Sequence, residues 1–303
     1  MQITPPPLPS PGVPGEGEQT NTATAAAWDD ALLANPHTVA DKRRRVQRMF
    51  AAIAPSYDIN NRLHSLWMDQ RWRRTAVKLA TVKPTDRVVD VACGTGDLSL
   101  KFFYVLWRII ADAAFISGKS QNAYPAIGQV TGIDFTFEML VAAKQKYPTF
   151  TSGPPPWYGA RTPIAYVNGD AQALPLADQS ADVVSIAFGI RNVADPAAAL
   201  REFHRVLRPG GRVIILEFSL PTNPILRGLY NFYFRKILPR TATLISGDKT
   251  GAYKYLPESV CTFIGREQMM TMMRDAGFTN VEQHPMTFGV CVCYRGVKAT
   301  TSS

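Results

Sequence analysis

The chain has 303 residues, 46% of them hydrophobic and 19% charged, with a formal net charge of +9. That length and apolar content suffice for one large domain with a full core, which excludes a fibrous or wholly disordered chain. Four cysteines, none in a CxxC pair, exclude a disulfide framework or a zinc ribbon, and no metal is expected.

Residues 1–26 mix Pro, Gly, Thr and Ala with few large apolar side chains, the composition of a disordered tail. Residues 1–40 hold no Lys or Arg, so the tail is set at 1–40 and the folded domain at 41–298, with 299–303 as a second tail. There is no charged segment leading into an apolar one near the start, so cytoplasmic residence is expected. The most apolar run, FFYVLWRIIADAAFI at 102–116, is interrupted by Arg108 and Asp112, which argues against a membrane span and for a soluble protein. The basic balance favours an anionic partner, whether nucleic acid, phospholipid headgroups or an acidic substrate.

From Asp41 the pattern turns helical. KRRRVQRMFAAIA places Val46, Met49, Phe50 and Ile53 on one face, with the arginine run as a solvated opposite face. A second helix is predicted from Leu66 to Ala80, and the helices of 41–85 are expected to cover the site. Strands and helices then alternate: short apolar strands at 87–92, 129–134, 163–168, 182–188 and 212–218 read as a buried parallel sheet with helices on both faces. Asp195 and Pro196 open a helix, and Pro209-Gly210-Gly211 turns the chain into the fifth strand. A helix at 265–278 and strands near 280–286 and 288–295 complete seven strands with a terminal hairpin. Cys291 and Cys293, two apart in GVCVCYRG, read as small buried hydrophobes. Two segments, about 101–128 and 148–162, exceed the minimal alternation and read as surface insertions.

The chemistry concentrates where strands end. In VVDVACGTGDLSL, Asp90, Gly94, Thr95 and Gly96 form a turn in which glycines admit a ligand close to the backbone and the next helix offers free N–H groups. The turn lacks the third glycine of a dinucleotide fingerprint, which disfavours NAD. Asp134 closes the second strand, where an acid accepts from both hydroxyls of a ribose or else caps the following helix. Asp170 and the Ala171 N–H follow the third strand, placed to meet an adenine edge or simply to form a turn. Together these strand ends point to a nucleoside ligand, and to the adenosyl group of S-adenosylmethionine. The fourth strand ends in AFGIRNVAD, where nucleobase-methylating enzymes carry (N/D)PP(Y/F); Phe188, Gly189, Arg191 and Asn192 stand there instead, so nucleic acid is not expected as substrate.

The chain resembles the ubiquinone/menaquinone biosynthesis C-methyltransferases, the UbiE type. The likeness lies in MFAAIAPSYDINNRLHSLWMDQRWRR, DVACGTGDLS, GDAQALPLADQSADVVSIAFGIRNVAD, RVLRPGGRVIILEFS, YKYLPESV and GVCVCYRGVK, most of residues 46–298. Cys93 stands where that family usually has a second glycine. The resemblance implies a class I Rossmann-like methyltransferase fold, S-adenosylmethionine, and C-methylation of a polyprenylated hydroquinone, demethylmenaquinol above all. The corresponding benzoquinol, another small molecule or RNA, and a noncatalytic subunit are the alternatives, and a homodimer is admitted. It further implies that Arg191 with Asn192 orients a water or the quinol hydroxyl and stabilises its anion, while Tyr57, Tyr253 and Tyr255 shape the ring pocket. The segment ILRGLYNFYFRKILPR at 225–240, inside a 220–262 substrate or lid region, interleaves apolar and basic residues, as a helix lying on an anionic bilayer or an ordinary lid helix would.

Overall fold

The computed structural model describes residues 28–117, 128–146 and 164–300. Asp29 caps a first helical turn, α1 (Asp30–Leu33), accepting from the Leu32 N–H at 2.8 Å. α2 (Lys42–Ile53) buries Val46, Met49 and Ile53, the residues its spacing singles out. A 3-10 turn then leads into α3 (Tyr57–Ser65), which Asp58, Asn60, Asn61 and Arg62 conceal from any apolar periodicity. Leu66 and Trp67 both take left-handed backbone (φ 50° and 59°), so the helix predicted from Leu66 begins two residues later, as α4 (Met68–Ala80).

The sheet follows the predicted alternation. β1 (Val88–Val91), β2 (Val130–Asp134), β3 (Ile164–Asn168), β4 (Ala181–Ala187) and β5 (Leu207–Phe218) run parallel, and β6 (Phe278–Met286) and β7 (Cys291–Lys298) form the antiparallel hairpin. Their order is β3-β2-β1-β4-β5-β7-β6, which reverses direction between β1 and β4 and opens a crevice at the carboxyl ends of both. α5 (Asp97–Ser117), α6 (Phe137–Lys146), α7 (Pro196–Val206) and α11 (Arg266–Asp275) connect the strands. One face of the sheet packs Leu200 and Phe203 of α7 with Met269 and Met273 of α11, and the other packs Trp72 and Ala76 of α4 with Phe102 and Leu106 of α5. A third cluster, over the carboxyl ends, joins α2 to α9 (Leu238–Ser246) and α10 (Ala252–Cys261). α8 (Pro224–Phe232) and a π-helical turn (Tyr233–Ile237) precede α9. Among the described residues no helix is long and apolar enough to cross a membrane.

Two boundaries move. Residues 101–117 belong to α5, whose Phe102, Phe103 and Leu106 are buried against the sheet, so the apolar run read as an insertion is a core helix. Residues 118–127 and the whole of 148–162 fall outside the described residues, as does the tail through residue 27. The domain starts earlier than Asp41: Trp28 is buried, its ring centroid 4.5 Å from that of Tyr255 and its N–H bonded to the Thr250 carbonyl at 3.1 Å. An aromatic preceded by alanines reads as tail because the partner that buries it lies more than two hundred residues away.

Arg212 of β5 straps the lower edge: its Nε donates to the Ala80 carbonyl at 2.6 Å and Nη2 to the Thr81 carbonyl at 2.8 Å, and it pairs with buried Asp86. The last carbonyls of α4 are thereby satisfied. If α5 is core, Phe102→Ala lowers the unfolding free energy by about 3–5 kcal/mol; urea denaturation followed by circular dichroism measures it, and a change within error would return 101–117 to the surface.

Candidate active site

The crevice holds a cavity of about 760 Å³ lined by the ends of β1 to β4 and roofed by α2. Gly94, at φ +55°, turns its N–H onto Asp134 Oδ2 at 2.8 Å, and the Thr136 N–H donates to Oδ1 at 2.7 Å. A carboxylate has about four acceptor sites; the Phe135 N–H and the Thr136 hydroxyl also act on this one, so a ribose diol would share it with them. Burial pushes the Asp134 carboxyl up to about 6, against these N–H groups, which pull it down. Across the cavity Asp170 accepts from the Gln172 N–H at 2.9 Å and pairs with Arg43 at 3.1 Å. Arg43 in turn lies over the Phe135 ring, 4.6 Å from its centroid. Two members of the predicted solvated face thus work inward: Arg43 here, and Lys42, which is buried.

A second cavity, of about 620 Å³, adjoins the first through Phe50, Tyr57 and Phe188, which line both. Tyr57, Tyr253 and Tyr255 surround it, with the charged side chains of Asp69, Arg73 and Arg191. Phe188 sits at φ 58° directly after β4, a strained position for a non-glycine residue. Arg191 is buried, with Nη1 on Glu217 Oε1 at 2.5 Å and on the Phe188 carbonyl at 2.8 Å, and its guanidinium lies 5.3 Å from the Phe218 centroid. Lys42 Nζ donates to the Arg191 carbonyl at 2.9 Å and the Val193 carbonyl at 2.7 Å, locking the loop from the α2 side. Burial, with the Arg191 charge after it, lowers the Lys42 ammonium to about 8. The Tyr255 hydroxyl donates to Asn192 Oδ1 at 3.0 Å, and Asn192 faces the first cavity.

The model of the ubiE/COQ5 methyltransferase family matches residues 37–298. The chain belongs to that family. It is 41% identical over 258 residues to the Ubiquinone/menaquinone biosynthesis C-methyltransferase UbiE of Geotalea daltonii, covering 85% of this chain and 98% of that protein. It is 39% identical to the Demethylmenaquinone methyltransferase of Deinococcus radiodurans, over 85% and 94% of the two chains. Among solved structures, a SAM-dependent methyltransferase from Thermotoga maritima aligns at TM-score 0.50 and 20% identity, over 84% of this chain and 99% of that one. A chain from the complex of the Haloferax volcanii Trm112 methyltransferase activator aligns at TM-score 0.51 and 19% identity, over 82% and 97%. These two establish the fold. S-adenosylmethionine is the cofactor of this methyltransferase, and the first cavity fits it: the Asp134 carboxylate faces it as an acceptor for a ribose, and Phe135, Met139 and Ala171 offer apolar surface for a base.

Of the cofactor-binding residues expected in this methyltransferase, Gly94, Asp134, Asp170, Ala171 and Phe188 line the large cavity. Thr95 lies instead beside a smaller adjoining cavity, as does Asp90. Its carboxylate accepts from Ser99 Oγ at 2.6 Å and Ser185 Oγ at 2.9 Å, tying β1 to α5 and β4. Thr95 is likewise engaged, with Asp58 at 2.6 Å and Lys146 at 3.0 Å. Gly96 (φ +80°) packs under Tyr166, where a Cβ would clash with the hydroxyl. Arg191 and Asn192 are neighbours in sequence that serve different cavities. Lys42, Asp69, Arg73 and Glu217 are functional residues that the charged and apolar runs around them conceal; Glu217, a lone acid ending the apolar run RVIILE, was the available signal, since such a carboxylate is rarely buried unpaired.

Asp134 accepts from both hydroxyls of a ribose best as the carboxylate. With its folded pKa raised to about 6, protonation removes acceptor sites as pH falls through that value. Calorimetric titration with S-adenosylhomocysteine should show affinity steady near pH 8 and falling by up to about tenfold per pH unit below the transition. Asp134→Asn should bind more weakly at pH 8 and lack the step. An unchanged step in that variant would assign the titration to another group.

Proposed function

We propose that this enzyme transfers a methyl group from S-adenosylmethionine to a ring carbon of a polyprenylated hydroquinone, and that its substrate is demethylmenaquinol. The observation that carries this reading is the junction of the two cavities at Phe188 and Tyr57, which places an aromatic-walled pocket next to the adenosyl pocket. The names of the relatives in Geotalea daltonii and Deinococcus radiodurans support quinone chemistry.

Bound S-adenosylmethionine supplies an electrophilic methyl group. A quinol ring carbon is a competent nucleophile only when a neighbouring hydroxyl gives up its proton, so the protein has to hold the ring in line, keep water out and favour the oxyanion. Tyr57, Tyr253 and Tyr255 hold the ring. Nη2 of Arg191 makes no hydrogen bond among the described residues, while Glu217, Phe188 and Ser259 fix the rest of its guanidinium. That leaves the two N–H groups of Nη2 for the quinol oxygen or a water bound to it, with Asn192 ordering the cofactor side. Arg191→Ala made together with Glu217→Gln, so that no buried carboxylate loses its partner, should reduce methyl transfer about 100- to 1,000-fold with S-adenosylhomocysteine affinity unchanged. Transfer of labelled methyl to demethylmenaquinol, assayed beside the matching benzoquinol, measures this. Full turnover in the double variant would remove Arg191 from the reaction, and preference for the benzoquinol would reassign the substrate.

An isoprenoid tail resides in a bilayer, and α8, the π turn and α9 present Ile225, Leu229, Phe232, Ile237 and Leu244 to solvent beside Arg235, Lys236 and Arg240. We infer peripheral contact with an anionic membrane through this face, from the cytoplasmic side. Flotation with phosphatidylglycerol vesicles should recover the protein and neutral vesicles should not, and Leu229→Glu with Phe232→Glu should abolish recovery. Equal flotation on neutral vesicles would exclude the electrostatic part.

A further inference from the structure

The amino-acid end of S-adenosylmethionine carries a carboxylate, and the large cavity has one cation to offer, Arg43, already paired with Asp170 at the opposite strand end. A smaller cavity of about 300 Å³ continues past the glycine turn, sharing Tyr57, Ala92, Gly94 and Ala187 with the large one. Arg73 of α4 lines its wall.

The surrounding charges are otherwise committed. Lys146 pairs with Asp58 at 2.5 Å and Asp97 at 2.7 Å. Arg62 pairs with both Asp69 and Asp97. Arg73 has only a share of Asp69, through Nη1 at 2.9 Å, and that carboxylate also accepts from Arg62, Ser65 and Gln70. Nε and Nη2 of Arg73 make no hydrogen bond among the described residues, although the side chain is only 7% exposed. The guanidinium lies 5.1 Å from the Phe188 centroid, which restrains its plane. A buried guanidinium with a free edge, beside a cavity that opens from the cofactor pocket, is built for a bidentate carboxylate.

We propose that Arg73 binds the α-carboxylate of S-adenosylmethionine and so fixes the position of the sulfonium relative to the second cavity. Arg73 also borders that second cavity. The carboxylate is favoured because the free edge accompanies the pocket at the glycine turn, and because Arg191 already supplies the quinol side with a donor.

The test varies the ligand as well as the protein, using calorimetric binding of S-adenosylhomocysteine, its decarboxylated analogue and 5′-methylthioadenosine. The wild-type protein should prefer the carboxylated ligand over the decarboxylated one by about 10- to 100-fold, as expected of a charge-assisted hydrogen-bond pair. In Arg73→Gln that preference should collapse to about twofold while 5′-methylthioadenosine binds unchanged. Arg73→Lys, which keeps the charge but loses the fork, should fall between. A wild-type preference below about threefold overturns the proposal without recourse to any variant. So does a preference that survives in Arg73→Gln, or an equal loss of all three ligands. The proposal rests on the large cavity holding the adenosyl group; failure of 5′-methylthioadenosine to bind the wild-type protein would overturn that assignment instead.

Discussion

A carboxylate buried at the end of β5 constrains everything above the sheet. Glu217 is 2% exposed, and an unpaired ion at that depth costs several kcal/mol. Arg191 meets the need and is drawn under the loop after β4. That guanidinium then holds the Phe188 carbonyl, so the strained residue between the two cavities is fixed from below. Lys42 reaches the same loop from α2, and Ser259 and Tyr255 reach it from α10. The helices that cover the site and the sheet that carries it are thus joined through one ion pair.

The order in which the strands lie follows from the same economy of polar groups. Five parallel strands present their carboxyl ends at one edge, and the reversal between β1 and β4 leaves that edge uncovered. At the glycine turn the Cys93 and Gly96 amides find backbone carbonyls, and Asp134 takes the one from Gly94. The N-terminal helices close the crevice by contributing charged residues to it, Arg43 to Asp170 and Asp58 to Thr95, as well as apolar ones.

Much of this was legible in the sequence. Val88 to Val91 and Val183 to Ile186 are short valine-rich strands, each broken by a single polar residue, and Asp134, Asp170 and Phe188 stand at strand ends that topology alone brings together. The misreadings share a cause. Lys42, Arg73 and Asp69 sit in charged runs that show no sign of burial, but ion pairs formed between distant segments make burial tolerable, and a single sequence does not display such pairs. Phe102 to Leu106 looked like an insertion because Tyr104, Val105 and Trp107, off the buried face, are apolar too and mask the helical period. Cys93 has a role after all: its sulfur lies against Gly132 of the neighbouring strand, 3.0 Å from where a Cβ would stand, and burial keeps the thiol protonated and inert.

The π turn at Tyr233–Ile237 fixes the phase of the segment that contains it. In an α-helix, residues five apart lie on different faces, whereas an i to i+5 turn sets one over the other. Phe232 and Ile237 therefore align, and Leu244, seven residues further and about two α-turns on, falls in line with them. The segment is consequently intolerant of length change in a way its composition does not reveal. Removing one residue from 233–237 would restore ordinary helix, keep every apolar and basic side chain, and rotate the distal half by about 100°. Drift in this region can exchange side chains freely but cannot gain or lose a single position.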